Sequence, residues 1–339
     1  MIWNTIDLHN VADVLPAADG AGVVLQRVPE SLRSALNPNA QERVKSSAGM
    51  EIRLVQTNDE PVRVTVSAVA GQVHMSTFRG VFQHGQPLLI GPEPTVVTLG
   101  ELPLPFIEAL ANCQETYSFD QQVWRLMFAG GQLRVHAVEG ACRPPARAEL
   151  PRLRYLAYGT SITHGAAATR AHLTYVAQAA MRLGLDPLNM GLGGACHAEP
   201  ELADWFAARD DWDVATLALS VNMIGGGFDG PQFRERVSYM IDRVAGSNPA
   251  RPVACITIYP HFRDHGLRMD RDRVVPEEFR VILRDVVAAS PHANVYLIEG
   301  PDILPGMAGL TTDLIHPGDE GMIRMGERLA ERLRPLLPS

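Results

Sequence analysis

The chain has 339 residues, 46% of them hydrophobic and 20% charged, with a formal net charge of −8. That is the make-up of a soluble globular protein long enough for two domains. An acidic balance without a Lys/Arg cluster excludes nucleic acid as the main partner, and no apolar run approaches the ~18 residues of a membrane span. The four cysteines, Cys113, Cys142, Cys196 and Cys255, are widely spaced with no Cys-x-x-Cys pair. They read as free or buried thiols rather than as a disulfide framework or a zinc site. The first residues show neither a basic region nor an apolar signal core, so the expected location is cytoplasmic, with secretion of a trimmed chain left open.

Residues 1–142 carry strand signals. Met50 to Leu54 alternates apolar and charged, Val62 to Ser67 does the same, and Asn58 to Pro61 supplies the turn between them. Further strands are expected at Val73 to Val81, Thr95 to Leu99 and Val123 to Phe128. The last, followed by Ala129 to Gln132 and then Leu133 to Val138, has the form of a hairpin. Short alternating strands between Gly/Pro turns predict an all-β, jelly-roll-like sandwich, with one helical segment near Phe106 to Ala111. Residues 143–152 read as a linker, because three prolines between Cys142 and Pro151 interrupt any sheet or helix.

From 153 to 339 strands and helices alternate. Strands are expected at Leu153 to Tyr158, Pro187 to Met190, Val214 to Val221, Val253 to Tyr259 and Asn294 to Ile298. Helices fall between them at His172 to Leu183, Glu199 to Ala208, Gln232 to Ala245 and Pro276 to Ala289, with Gly318 to Leu333 closing the chain. This pattern predicts an α/β fold with a parallel five-stranded sheet covered on both faces. Ligands of such sheets bind beyond the carboxyl ends of the strands. Ser161, Gly194, Asn222 and the loop with Asp313 and His316 all belong to that edge.

Those residues form a coherent chemical set. A serine hydroxyl is a poor nucleophile until a base takes its proton. His316 is the candidate base, and Asp313, three residues earlier, the group that orients it. The backbone N–H groups of Ser161 and Gly194 and the Asn222 amide are candidate donors to an oxyanion. The Gly191 to Gly194 turn lacks both the lysine of a P-loop and the Gly-x-Gly-x-x-Gly order of a dinucleotide site. Asp302 is a rival acid, set aside for its distance along the chain from His316. Cys196, His197 and His261 are candidates to line the substrate pocket. His261 and His265 have a spacing that suits a metal, but no third ligand is evident, and neither a metal nor a cofactor is expected. Trp205 and Trp212 read as core.

Four segments together resemble the blocks of the SGNH, or GDSL-type, hydrolases. They are Gly159 to Thr163, Asn189 to Gly194, Ser220 to Met223 and Asp313 to Pro317, in the family's order across the whole second half. The resemblance implies a flavodoxin-like three-layer α/β/α domain, with Ser161 as nucleophile, Gly194 and Asn222 completing the oxyanion hole, and Asp313 and His316 finishing a triad. Thr160 stands where the family's Asp precedes the serine, Ser220 and Met223 stand where Gly and Asp are usual, and Ala195 follows the oxyanion glycine. No triad or oxyanion group is lost by these departures. Gly194 to His197 followed by Glu199 and Pro200 resembles the second block of two-domain members with an N-terminal β-sandwich, among them sugar-ester deacylases and acyltransferases.

The function expected is therefore a serine esterase cleaving small acyl groups, acetyl first, from a carbohydrate or other polyol (a small-molecule or glycan ester substrate), through an acyl-enzyme on Ser161. The alternative is an acyltransferase that passes the same acyl group to a hydroxyl of a sugar or natural product. A third reading, a non-catalytic glycan-binding protein, conflicts with the intact set of Ser, Gly, Asn, Asp and His. The first domain is expected to wall one side of the site. Homo-oligomerisation is left open.

Overall fold

The computed structural model describes residues 1–100, 104–112 and 118–338; Cys113 lies outside them. The chain forms two compact units. The first holds Met1–Pro29, Lys45–Arg152 and Arg170–His172, and the second holds Glu30–Val44, Leu153–Thr169 and Leu173–Ser339.

The first unit is a sandwich of two antiparallel sheets, one seven-stranded and one five-stranded. Its core lies between them. Met50, Ile52 and Leu54 of one sheet and Val62, Val64 and Val66 of the other belong to one buried cluster, as the two-residue period requires. The opposite face of the first strand is buried as well: Glu51 accepts hydrogen bonds from Arg53 (2.8 Å) and from Arg125 (2.8 and 2.6 Å). Burial works to raise the Glu51 carboxyl, but the two guanidinium groups hold it well below the usual carboxylate range.

The hairpin expected across Ala129 to Gln132 is not one. Val123–Gly130 pairs with Met50–Gln56 and Val73–Arg79 in the larger sheet, while Leu133–Glu139 pairs with Val23–Gln26 and Val62–Ala68 in the smaller. The Gly130 and Gly131 turn carries the chain from one sheet to the other. Alternation tells which residues face a core, not which sheet a strand joins, and sandwiches route consecutive strands across their two layers. Hairpins instead join Ile2–Trp3 to Ile6–His9, Asp13–Pro16 to Val23–Gln26, and Val73–Arg79 to Phe82–Ile90, the last at Gly80, whose φ is +59°. Six strands among the described residues were not foreseen: Ile2–Trp3, Ile6–His9, Asp13–Pro16, Val23–Gln26, Phe82–Ile90 and Cys142–Arg143, the last reaching into the stretch expected to be a linker. The helical segment expected near Phe106 is present as Leu104–Ala111.

In the second unit the elements are numbered from its first strand. Five parallel strands, β1 (Leu153–Gly159), β2 (Leu185–Gly191), β3 (Val214–Ala218), β4 (Val253–Ile256) and β5 (Val295–Ile298), lie in the order 2-1-3-4-5. This is the flavodoxin-like order, whose switch point falls between β1 and β3. The connecting helices are α1 (Ser161–His164), α2 (Tyr175–Leu183), α3 (Pro200–Ala208), α4 (Val221–Gly225), α5 (Gly230–Gly246), α6 (Pro276–Ala288), α7 (Gly300–Ile303) and α8 (Asp319–Leu333). Helices α2 and α8 pack together over one core, with Tyr175, Val176, Met325 and Leu329 against Tyr155 and Ala157 of β1. Helix α5 packs against both α3 and α6.

Four differences from expectation bear on the site. Strand β2 runs through Pro187, because it is an edge strand on which a missing N–H costs no ladder bond. Helix α2 begins at Tyr175 rather than His172, where the Thr174 side chain caps the Ala177 N–H at 3.3 Å. Strand β3 ends at Ala218, and the residues expected to continue it turn into α4, so Asn222 sits on a first helical turn instead of a strand end. Glu30–Val44, in the sequence an interior part of the strand-rich half, is helical at Glu30–Arg33 and Pro38–Arg43 and belongs to the α/β unit.

Candidate active site

Strand β1 ends at Gly159 in a space that admits no side chain: a Cβ there would run into Thr163. The chain then enters α1, capped by Thr160, whose hydroxyl accepts from the Ile162 N–H at 3.4 Å. This puts half-buried Ser161 on the first turn at the carboxyl edge of the sheet. A Cβ on Gly191, at the end of β2, would collide with the His164 backbone, so that glycine lets the second strand close against α1.

The Asp313 to His316 turn brings the other two groups to Ser161. The Ser161 hydroxyl and His316 Nε2 are 2.7 Å apart, and His316 Nδ1 is 2.7 Å from Asp313 Oδ2. Asp313 Oδ1 accepts the backbone N–H groups of Ile315 and His316, both at 2.9 Å. Partial burial works to raise the Asp313 carboxyl, but the hydrogen bonds from His316, Ile315 and Thr311 hold it well below the usual range. An ionised carboxylate only accepts, so the ring proton sits on Nδ1 and Nε2 is left to accept from the serine. Leu314 holds a positive φ of +56°, a backbone cost that the turn carries in order to aim both side chains. The turn is braced by Phe262, whose N–H donates to Leu314 O at 2.9 Å.

The glycine loop after β2 comes up beside the serine. A Cβ on Gly193 would lie 3.5 Å from the Ser161 Cβ. Exposed Gly194 has a φ of +72°, which turns its peptide relative to its neighbours at no steric cost. The loop is tied to α4 twice: Ser220 Oγ donates to Cys196 O at 2.5 Å, and the Cys196 N–H donates to Asn222 Oδ1 at 3.3 Å. With its oxygen held there, the Asn222 amide presents its N–H₂ on the other side.

Sequence reasoning missed two residues of this site. Asn37 caps the helix Pro38–Arg43, accepting the Ala40 N–H at 3.0 Å, and its amide nitrogen donates to Ala195 O at 3.4 Å and to Glu199. Arg43 Nε donates to Gly193 O at 2.9 Å. The two carbonyls that flank Gly194 are thus both held from the Glu30–Val44 segment. Asn37 followed by Pro38 is a legible helix start, but nothing in the local sequence says that the helix docks some 150 positions away.

The remaining candidates divide. The Cys196 side chain, expected to line the pocket, is fully buried with its thiol pushed up to about 12 by burial, so its part in the site is played by its backbone. His197 is half-buried against Phe228, with ring centroids 5.1 Å apart, and burial lowers its imidazole. His261 is 2% exposed at the edge of the sheet, while Asp264, near it, is paired with Arg280 at 2.7 Å. Among the described residues no group of three or more His, Cys, Asp or Glu could hold a metal. Asp302 pairs with Arg332 at 3.0 Å rather than with His316. Trp212 is core; Trp205 is half-buried under Arg209, whose guanidinium is 4.3 Å from its ring centre. No helix among the described residues is long and apolar enough to cross a membrane.

A family model described as the GDSL-like lipase/acylhydrolase family matches residues 157–323. The fold is similar to that of a salicylyl-acyltransferase, SsfX3, from a tetracycline biosynthetic pathway, with a TM-score of 0.81 at 15% identity over 98% of this chain and 95% of that one. It is similar to a putative GDSL-like lipase from Bacteroides ovatus, with a TM-score of 0.67 at 17% identity over 98% and 97%. It is also similar to an acetyl xylan esterase from Butyrivibrio proteoclasticus, with a TM-score of 0.57 at 10% identity over 99% and 96%. No curated protein matches the sequence.

Proposed function

We propose that this chain, which carries a GDSL-like lipase/acylhydrolase domain over residues 157–323, is a serine esterase that removes small acyl groups, acetyl among them, from a carbohydrate or other polyol. The observation that carries the reading is the unbroken relay from Ser161 through His316 to Asp313, with both links at 2.7 Å. Ser161 Oγ attacks the ester carbonyl as its proton passes to His316 Nε2, and Asp313 stabilises the imidazolium. The carbonyl oxygen, now negative, is received by the N–H groups of Ser161 and Gly194 and by the Asn222 amide. Collapse breaks the bond to the alcohol, which leaves with the proton from His316. Water, activated by the same histidine, then attacks the acyl-enzyme and releases the acid.

The second reading ends the cycle with an acceptor hydroxyl in place of water. It is favoured by the fold likeness to an acyltransferase at a TM-score of 0.81, against 0.57 for the acetyl xylan esterase. Both readings share every group named above and differ in whether the bound acyl-enzyme excludes water. The test is release of p-nitrophenol from the acetate, butyrate and octanoate esters, with and without polyols. Fast release indifferent to polyol supports the esterase. Slow release that accelerates with one acceptor, with that acceptor's ester as product, replaces it with the transferase.

The same assay tests Asn37 and Arg43 as positioning residues. Asn37→Ser keeps a good helix cap and loses the amide donors; Arg43→Met keeps the stem and loses the Nε bond to Gly193 O. Each is expected to lower kcat about tenfold or more, since small displacements of a reacting geometry are costly, while KM stays within about twofold. Sites are counted with a serine-directed phosphonate. An unchanged kcat per titrated site, with fewer sites titrating, would assign both residues to stability alone.

A further inference from the structure

The loop over residues 192–198, which carries Gly194 and is tied to Asn222, ends on a buried acid. Glu199 is 6% exposed. It stands at the N-cap of α3, yet its side chain makes no capping hydrogen bond. The carboxylate collects donors from two other parts of the unit instead. Tyr158 OH, near the end of β1, donates to Oε2 at 3.5 Å, and the Asn37 amide nitrogen donates to Oε1. Both donors also hold the loop. Tyr158 OH accepts the Ala198 N–H at 3.1 Å, and Asn37 Nδ2 donates to Ala195 O at 3.4 Å. Ala198 keeps a positive φ of +50°, a backbone cost that lasts only where the surroundings impose it.

The charge on Glu199 matters to this hold. An ionised carboxylate accepts at both oxygens, whereas a protonated one must donate from one of them. Tyr158 and Asn37 are neutral donors, and a bond to an ionised acceptor is about twice as strong as one to a neutral acceptor. Burial works to raise the Glu199 carboxyl, against its own N–H, the Asn37 amide, the charge of Arg236 on α5 and the His197 N–H. The titratable side chains beside it are neutral at physiological pH. Burial pushes the Tyr158 phenol far up and the Cys196 thiol up to about 12, and it lowers the His197 imidazole. The short helix Glu30–Arg33, which packs on α3, keeps its two charges paired with each other at 2.6 Å.

We propose that Glu199 is a positioning residue of the oxyanion hole and that it works in its ionised form, drawing Tyr158 and Asn37 onto the loop so that the Gly194 N–H stays aimed at the oxyanion. The proposal rests on the esterase or transferase reading and names a further group in its machinery. Glu199 acts through the loop rather than on the substrate. Taking up a proton turns one of its oxygens into a donor that faces the Asn37 or Tyr158 donor, and the loop loses a charge-assisted hold. The oxyanion is then met less well, while substrate binding changes little, because these donors meet charge only in the tetrahedral intermediate.

The test compares kcat for p-nitrophenyl acetate in the wild type and in Glu199→Gln, per phosphonate-titrated site, over a range of pH. Glutamine has the shape of the protonated acid and no charge. Both enzymes share His316 and His197, so the titration of those groups cancels in the ratio of the two rates. At neutral pH the wild type is expected to be about tenfold faster, as for a small displacement of reacting groups, with KM within about twofold. The ratio is expected to close to within about twofold in acid, where the wild type is itself protonated. Closure begins above the ordinary carboxylate range, because burial raises this acid. A neutral-pH ratio within twofold, or a ratio that stays the same at every pH, would overturn the proposal and leave Glu199 as a structural acid. Asn37→Ser is the second variant, for the case in which Glu199→Gln yields no titrating sites. Its deficit is expected to shrink in acid in the same way, and a deficit equal at every pH overturns the proposal. If the wild type releases no p-nitrophenol through Ser161, the esterase reading itself has failed and the role of Glu199 falls with it.

Discussion

Ser161→Ala is expected to lower kcat/KM for p-nitrophenyl acetate by about 10⁴–10⁶, the range found when a triad serine is removed, with the fold intact. The side chain is half-buried and short, and α1 keeps its Thr160 cap in the variant, so thermal stability should stay within the small range of uncapped surface changes. What is lost is the atom that makes the acyl-enzyme. The relay explains why the loss is so complete: His316 and Asp313, still hydrogen-bonded at 2.7 Å, would have no nucleophile to deprotonate except water held less favourably. A serine-directed phosphonate should add one adduct per chain to the wild type, on Ser161, and none to the variant. An adduct on any other residue, or wild-type release rates in Ser161→Ala, would remove Ser161 from the nucleophile's role and with it the whole reading of the site.

How much of this was legible in the sequence depends on whether the cause was local. Ser161, Asp313 and His316 were nameable because each sits in a short segment whose form reports its place: a strand ending in glycine, a turn after the last strand. The five strands and their parallel arrangement followed from alternation with helices, and the order 2-1-3-4-5 is what such units form. Partnership across long distances was not legible. The Val123–Gly130 and Leu133–Glu139 strands looked like a hairpin because their spacing is a hairpin's, yet they belong to different sheets. The hold of Asn37 and Arg43 on the Gly193 and Ala195 carbonyls leaves no periodic trace in either segment. Cutting the chain at the proline-rich stretch after Cys142 would discard Glu30–Val44, which belongs to the α/β unit. Cys196 differs in the opposite sense: its side chain, offered as pocket lining, is fully buried, and it is the peptide N–H that reaches the candidate site by donating to Asn222 Oδ1, a contact that side-chain patterns do not report.

That peptide N–H gives the second large effect its logic. Asn222→Ala is expected to lower kcat by about 10²–10³, the usual consequence of removing one oxyanion donor, with KM little changed because the amide meets charge only as the tetrahedral intermediate forms. The direction depends on how the amide is turned. Its Oδ1 accepts the Cys196 N–H at 3.3 Å, and Ser220 Oγ holds Cys196 O at 2.5 Å, so loop and helix fix one another and the amide nitrogen is the group left to donate to an oxyanion. Asn222→Asp separates orientation from donation: its carboxylate can still accept from Cys196, but the other oxygen cannot donate and would face the developing negative charge. It should therefore be at least as damaging as alanine, although its shape is nearly that of asparagine. If the residue served only to tie the loop to α4, aspartate would rescue activity relative to alanine. The ranking of these two variants, read as kcat per phosphonate-titrated site, decides between an oxyanion donor and a structural brace.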